Sequence, residues 1–379
     1  VGRIQTFLYA PFIKSIEHGF KIFLFRCIGV LFRKKDIRNV TLDNVTNILI
    51  VRQHNQLGDM LCAVPVFRAL RQRFPDAHIT LVASPVNYQV VLNNPYLDEL
   101  INYDKVNYFK SPRGFWKFYK KLQEREYDLA IVPATVSVSV TSDAIAYLSG
   151  ARIRIGANSI DGKKNPSGFL FNVRVDLDWR NQSLKHQTER NLDIVRPFGI
   201  DTDDLSLVIG LTDDEKRFAD EFIEKNIGDK ITVIGFHPGA GKESNRWSAE
   251  RFAELADKLA RKFNALILVT QGPMDDNPVG AMTQKLSYQY VVLKRESIRE
   301  VAAVIDKLSL FVTNDTGIMH VAAAMKTPVL SLFGPTDPLQ WAPLGKRNRY
   351  ILGKDGNINS ITVDKVFRIA VDMIKSSAE

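Results

Sequence analysis

Cysteine is scarce: only Cys27 and Cys62 occur in 379 residues, too few for a disulfide framework and not spaced as a CxxC pair. That usage fits a reducing compartment. Long apolar runs are missing as well. The longest apolar-rich stretch, Phe20 to Phe32, contains Lys21 and Arg26 and falls short of the ~20 residues that cross a bilayer. Arg33-Lys34-Lys35 follows it in place of a small-residue cleavage site, so neither a membrane span nor a signal peptide is expected. The six histidines show no HxxH or HExxH spacing, and no GxGxxG fingerprint follows any strand-like run. At 45% apolar and 25% charged the composition is that of an ordinary globular chain, and its length suggests two domains at roughly 150 residues each.

The net charge of +9 is unevenly placed. Residues 1–40 hold eight basic side chains (Arg3, Lys14, Lys21, Arg26, Arg33, Lys34, Lys35, Arg38) against Glu17 and Asp36, so they carry +6, and the other 339 residues only +3. No finger, helix-turn-helix or RNA-recognition signature accompanies the charge, so nucleic acid is not an expected partner. From Phe12 to Phe32, Ile13, Ile16, Phe20, Phe23/Leu24, Cys27/Ile28 and Leu31/Phe32 recur every three or four residues. This predicts an amphipathic helix. Residues 12–38 read either as an interfacial helix on an anionic membrane surface or as a helix docked on the body of the protein.

From Val45 onward short apolar runs alternate with amphipathic stretches: VTNILIVR, then MLCAVPVFRALRQRF, then HITLVAS. The rhythm breaks between about Phe171 and Lys230 and restarts at ITVIGFHPG. This predicts an α/β protein of two tandem Rossmann-like domains facing across a cleft. The expected division is a basic amphipathic segment 1–40, a first domain 41–200 and a second domain 201–379 that includes a C-terminal helix.

Ligands of such sheets bind beyond the carboxyl ends of the strands, which directs attention to HNQLGD (54–59), HPGAGKESNRW (237–247), NDTG (314–317) and FGPTDPLQWAP (333–343). GAGKES is not a phosphate-binding P-loop, since Lys242 precedes Glu243 instead of Ser or Thr, and Phe236 stands where the first Gly belongs. Asp315-Thr316-Gly317 opens the small-residue helix IMHVAAAM, whose free amides at Thr316, Gly317 and Ile318 suit an anion such as a diphosphate. Alternatively, Asp315 or Thr316 merely caps that helix. Asp59 is placed either to accept a proton from an attacking hydroxyl or to cap its own helix. At His237-Pro238-Gly239-Ala240 the glycine permits close approach of a ligand, and Lys242 and Arg246 can neutralise phosphate. Trp247 is a pocket wall or core. Asp201-Thr202-Asp203 has the Asp-x-Asp spacing by which some sugar transferases hold a metal, but it follows an apparent helix in the linker region.

At these loops the chain resembles glycosyltransferase family nine, the heptosyltransferases of lipopolysaccharide core assembly. ILIVRQHNQLGDMLCAVPVFRALRQRFPDAHITLV, GFHPGAGKESNRWSAERFAEL and NDTGIMHVAAAMKTPVLSLFGPTDPLQWAPLG carry the resemblance over most of residues 45–345. It implies the type B glycosyltransferase fold, with the acceptor on the first domain and the nucleotide sugar on the second. It further implies metal-independent, inverting transfer of heptose from ADP-L-glycero-D-manno-heptose to a lipid-linked core acceptor, without a further cofactor, by a cytoplasmic enzyme at the inner membrane. Asp59 then takes the part of the family's general base. His54, Asn55, Gln56 and Gly58 form the acceptor-side loop, and His237, Gly239, Lys242, Arg246, Asp315, Thr316, Gly317, Ile318 and His320 border the donor. Many members carry a Lys two residues before the second-domain Trp; here Asn245 stands there, with Arg246 or Lys242 as substitutes. In QGPMDDN either Asp275 or Asp276 takes the place of the ribose-contacting carboxylate. A family-nine transferase with another nucleotide sugar, a sugar-nucleotide epimerase and a non-catalytic lipopolysaccharide-precursor binder are the alternative readings.

Overall fold

The computed structural model describes residues 36–378 except 38–39, 54–55, 106–107, 109–110, 228–231 and 295. The amphipathic segment expected over 12–38 therefore lies almost wholly outside the described residues.

In chain order the first half runs β1 (Asn47–Arg52), α1 (Leu57–Leu61), α2 (Val64–Arg73), β2 (His78–Ala83), α3 (Pro85–Val91), β3 (Glu99–Asn102), α4 (Pro112–Leu122), β4 (Leu129–Ile131), α5 (Val140–Leu148), β5 (Ile153–Ile160), β6 (Lys163–Lys164), β7 (Val173–Leu177) and α6 (Gln187–Leu192). The second runs α7 (Asp213–Ile227), β8 (Val233–His237), α8 (Ala249–Phe263), β9 (Leu266–Gln271), α9 (Asp276–Thr283), β10 (Tyr290–Lys294), α10 (Ile298–Asp306), β11 (Leu310–Asn314), α11 (Gly317–Ala324), β12 (Val329–Phe333), α12 (Pro338–Trp341), β13 (Arg349–Leu352) and α13 (Val363–Ala378).

The strands form two sheets. The first has the order β3-β2-β1-β4-β5, with β7 parallel and β6 antiparallel to β5, and the second is wholly parallel in the order β10-β9-β8-β11-β12-β13. Strands such as Ile48–Val51 and Leu310–Val312 are apolar on both faces because helices cover both sides of each sheet. Each sheet reverses its strand order between its first and fourth parallel strands, and ligand crevices open at such points. The loops after β1, β8 and β11, which hold HNQLGD, HPGAGKESNRW and NDTG, all leave from these two places.

The two halves share a core. Ala302, Val321 and Ala324 of the second half belong to the buried cluster built around Ile48, Ile50, Val66 and Leu70 of the first. Arginines with unusually deep burial then fix the crossing segment. Arg68 donates to Tyr96 Oη at 2.9 Å and to the Ser206 carbonyl at 2.8 Å, holding the chain that links the halves against α2. Arg299, 3% exposed on α10, donates to the Gln89 and Leu92 carbonyls at 2.9 and 3.0 Å, to the Gly210 carbonyl, and to Glu215 Oε2 at 2.8 Å. One guanidinium thus satisfies both halves and the linker together.

Removing a partner from such a buried set leaves carbonyls and a carboxylate without donors. Arg299→Leu is expected to lower the unfolding free energy by about 3–5 kcal/mol, measured by urea denaturation, whereas a surface substitution such as Lys307→Gln shifts it by less than about 1 kcal/mol.

Candidate active site between the two sheets

On the first-domain side, β1 ends in Arg52, and the next side chain, Gln53, donates to Ser139 Oγ at 3.0 Å. His54 and Asn55 lie outside the described residues. Gln56 is the extended residue that precedes α1 and makes no side-chain cap bond. Asp59 sits in the third helical position, half-exposed, and so is not the N-cap. Beneath it Arg52, 3% exposed, donates Nε to the Asp59 carbonyl and Nη1 to the Pro133 carbonyl, both at 3.1 Å. Burial lowers the pKa of Arg52, opposed by Asp59 and Cys62, so the turn rests on a fixed, desolvated cation. Burial first, and then the Asp59 charge, raise the Cys62 thiol to about 12.

On the second-domain side, α11 begins at Gly317. Thr316 precedes it with extended backbone and makes no side-chain cap bond, so neither capping reading of this loop is realised by Thr316, and the first-turn amides emerge from the helix end. Asp315 instead accepts from Asn245 Nδ2 at 2.9 Å. Burial raises the Asp315 pKa, with the Thr336 hydroxyl and the charge of Lys242 acting in the opposite direction. The position expected to depart from the family pattern is thus filled by a buried amide that contacts Asp315 directly, while Lys242 remains exposed. Arg246 turns Nε back to the Ala240 carbonyl at 2.9 Å and braces its own loop. Trp247 is core: it is 1% exposed, donates to the Ile361 carbonyl at 3.0 Å and meets the Phe252 ring edge-on at 5.1 Å.

His237 is buried between Thr270 and Asp275, with Nδ1 3.0 Å from Thr270 Oγ1 and Nε2 3.6 Å from Asp275 Oδ2. Burial lowers its pKa and Asp275 opposes the shift. Asp275 also accepts from the Gly272 amide at 2.9 Å, and a Cβ on Gly239 would fall 2.1 Å from Asp275 Oδ1. Between the two acidic residues of QGPMDDN, it is Asp275 that adjoins the His237-Gly239 turn; Asp276 accepts from Gln271.

The two sides meet through glycine. A Cβ on Gly317 would come within 3.2 Å of Leu57 Cβ, and one on Gly58 within 2.7 Å of His320 Cδ2. His320 fills the space over Gly58, with Nδ1 3.8 Å from Cys62 Sγ, and Trp341 lies edge-on to it at 6.4 Å. Burial, reinforced by His186, lowers the His320 pKa to about 3, so it packs as a neutral ring. The arrangement brings the turn that bears Asp59 up to the uncapped end of α11. Asp201 and Asp203 stay in the linker, where Asp201 pairs with Arg196 at 3.0 Å. Among the described residues no group of three or more His, Cys, Asp or Glu is arranged to hold a metal.

Asn314, in the sequence no more than the first residue of NDTG, organises the second-domain side. Fully buried, it donates to the Pro238 and Gly239 carbonyls at 2.9 and 3.2 Å and accepts from the Trp247 amide at 3.0 Å. Its signal was present as an amide ending an apolar strand, where a buried polar group needs several partners. Arg52, a charge ending an apolar strand, gave the same kind of signal.

Gly58→Ala is expected to destabilise by about 1–3 kcal/mol through overpacking against His320. In a thermal-denaturation cycle with His320→Ala the two losses should be strongly non-additive, because the added methyl and the removed ring occupy one space. Asn245→Lys should place an ammonium beside Asp315 and lower its pKa. Carboxylate NMR would then show Asp315 taking up its proton at lower pH than in the parent; an unmoved titration would mean that the lysine turns away.

The sequence profile of glycosyltransferase family 9 (heptosyltransferase) matches residues 115–367. Lipopolysaccharide heptosyltransferase 3 of Escherichia coli is 29% identical over 311 residues, spanning 76% of this chain and 83% of the relative. The crystal structure of a family 9 glycosyl transferase from Veillonella parvula superposes with a TM-score of 0.79 at 23% identity, covering 89% of this chain and all of the other. The structure of E. coli ADP-heptose lipopolysaccharide heptosyltransferase II gives 0.72 at 22% identity, covering 88% and 100%. These likenesses identify the two-sheet architecture as the type B glycosyltransferase fold. With more than half of its length matched by the family profile, the chain belongs to glycosyltransferase family 9 and is a glycosyltransferase.

Proposed function

We propose that this enzyme transfers heptose from ADP-L-glycero-D-manno-heptose to the inner core of lipopolysaccharide with inversion. The observation that carries the reading is the meeting of the Asp59 turn with the uncapped amino terminus of α11. The names of the relatives support the choice of sugar and acceptor.

In this reading Asp59 takes the proton of an acceptor hydroxyl as its oxygen bonds to the anomeric carbon. The bond from that carbon to the diphosphate breaks on the opposite face, and ADP departs with the electron pair. One displacement gives one inversion. The Thr316, Gly317 and Ile318 amides receive the charge that develops on the diphosphate, and Lys242 supplies the exposed cation. Arg246, engaged with its own loop, shapes the turn. Gln56 and Gly58, with His54 and Asn55, border the acceptor. His237, Gly239 and Asp275 form the nucleotide end of the donor site, and Asp315 faces the sugar, oriented by Asn245. His320 acts from behind, holding α11 against α1. The acceptor binds the 41–200 domain and the donor the 201–379 domain. Residues 12–38 hold the enzyme to the anionic cytoplasmic face of the inner membrane, where the lipid-linked acceptor resides; among the described residues no helix is long and apolar enough to cross a membrane.

Asn245 favours one second reading, a family 9 transferase with another nucleotide sugar, because the contact with Asp315 comes from an amide instead of a lysine. Calorimetry with ADP, UDP and GDP separates the two: tightest binding of ADP supports the first, and of UDP or GDP the second. Asp59→Asn should lower kcat by about 10²–10⁴ with nucleotide affinity and melting temperature unchanged. Turnover equal to the parent's would remove Asp59 from the chemistry.

A further inference from the structure

Between Lys105 and Lys121 the chain carries six cations (Lys105, Lys110, Arg113, Lys117, Lys120, Lys121) and no carboxylate. Helix α4 sorts this stretch. Phe118 and Leu122 are buried at 2% and 0% exposure, whereas Trp116 is 56% exposed, a large indole left in solvent. Phe115 stacks on Tyr119 with centroids 6.4 Å apart, and Trp116 meets Tyr119 edge-on at 5.6 Å. Around these rings Arg113, Lys117 and Lys120 are exposed and, among the described residues, have no carboxylate partner. Lys121, by contrast, is neutralised by Glu99 at 2.7 Å and Glu124 at 2.6 Å.

Behind Phe115 lies a cavity of about 180 Å³, walled by Tyr103, Tyr108 and Phe118 on one side and by Ile145 and Leu148 of α5 on the other. Its lining is mostly apolar. Ser139, which caps α5, is the residue that receives Gln53 from the acceptor-side loop, so the same helix joins this patch to the candidate site.

We propose that α4 is a docking surface for an anionic lipid bilayer. Trp116, Phe115 and Tyr119 sit at the headgroup boundary, where amphipathic rings are favoured. Arg113, Lys117 and Lys120 meet lipid phosphates, and the cavity behind Phe115 takes methylene groups. An acidic protein would account for the cations but not for an apolar cavity. A single-stranded nucleic acid would account for the cations and for stacking on the rings, but not for that cavity either. The proposal stands apart from the identity of the transferred sugar, and from residues 12–38, because its readout is local to Trp116.

The test uses the full chain with vesicles of phosphatidylcholine, with and without phosphatidylglycerol, containing brominated acyl chains. Subtracting the emission of Trp116→Phe isolates the signal of Trp116, since the other three tryptophans, buried Trp179 and Trp247 and half-buried Trp341, are common to both proteins. On phosphatidylglycerol vesicles the Trp116 emission should move to shorter wavelength and be quenched by the brominated chains. Lys117→Gln/Lys120→Gln should weaken vesicle partition roughly thirtyfold at low salt. The proposal is overturned if vesicles do not bind. It is equally overturned if they bind with Trp116 still open to aqueous acrylamide and insensitive to brominated lipid, or if single-stranded DNA protects Trp116 and vesicles do not.

Discussion

Helices α1 and α11 approach so closely that one position on them has no room for a side chain and a second has little. Gly58 lies under the His320 ring and Gly317 against Leu57, and this contact sets the distance between the two halves where the Asp59 turn meets the amino terminus of α11. A methyl group at either position would act as a spacer. The surrounding apolar residues, Val321 and Ala324 among them, make the contact dry, and dryness in turn keeps His320 neutral and the Cys62 thiol protonated. The halves are therefore joined at the site by shape and not by charge. Charge enters elsewhere: Arg299, paired with Glu215 in its own half, donates across to the Gln89 and Leu92 carbonyls at the far end of α3.

Around this contact two buried amides each hold several partners. Asn314 holds three backbone groups of the 237–247 loop, and Asn245 gives its amide protons to Asp315 and to Thr336. A lysine at position 245 would bring charge into that space; the amide brings orientation without it. The balance of charge beside Asp315 is then left to Lys242, which is exposed and free to follow a ligand. The resulting arrangement has a fixed cation, Arg52, under the Asp59 turn and an exposed cation, Lys242, on the loop after β8.

Much of this was legible in the sequence, for reasons of periodicity. Apolar runs such as NILIVR and LFVTN announced parallel strands covered on both faces, and the loops that follow them had to lie at the crevice once the strand order was known. Arg299 and Arg68 were not legible, because each acts on carbonyls brought near only by the finished fold; the Arg299 partners Gln89 and Gly210 lie 210 and 89 residues away. His320 read as a residue facing a ligand because it shares a motif with Asp315, but one helical turn carries it into the contact with Gly58. The basic stretch on α4 was concealed by averaging. Spread over 339 residues the charge looked balanced, although six cations without a carboxylate were gathered in seventeen positions.

Cys62 gives the inter-domain contact a property of its own. Its sulfur lies 3.8 Å from the His320 ring, sealed by the same closure that joins the halves, and the thiolate that reacts with electrophiles is scarce while the site is shut. Any alkylation of Cys62 must then wait for α1 and α11 to part. When reclosing outpaces the reagent, the rate of labelling measures the population of the open form. Cys62 thus lies where its labelling would report any parting of α1 from α11.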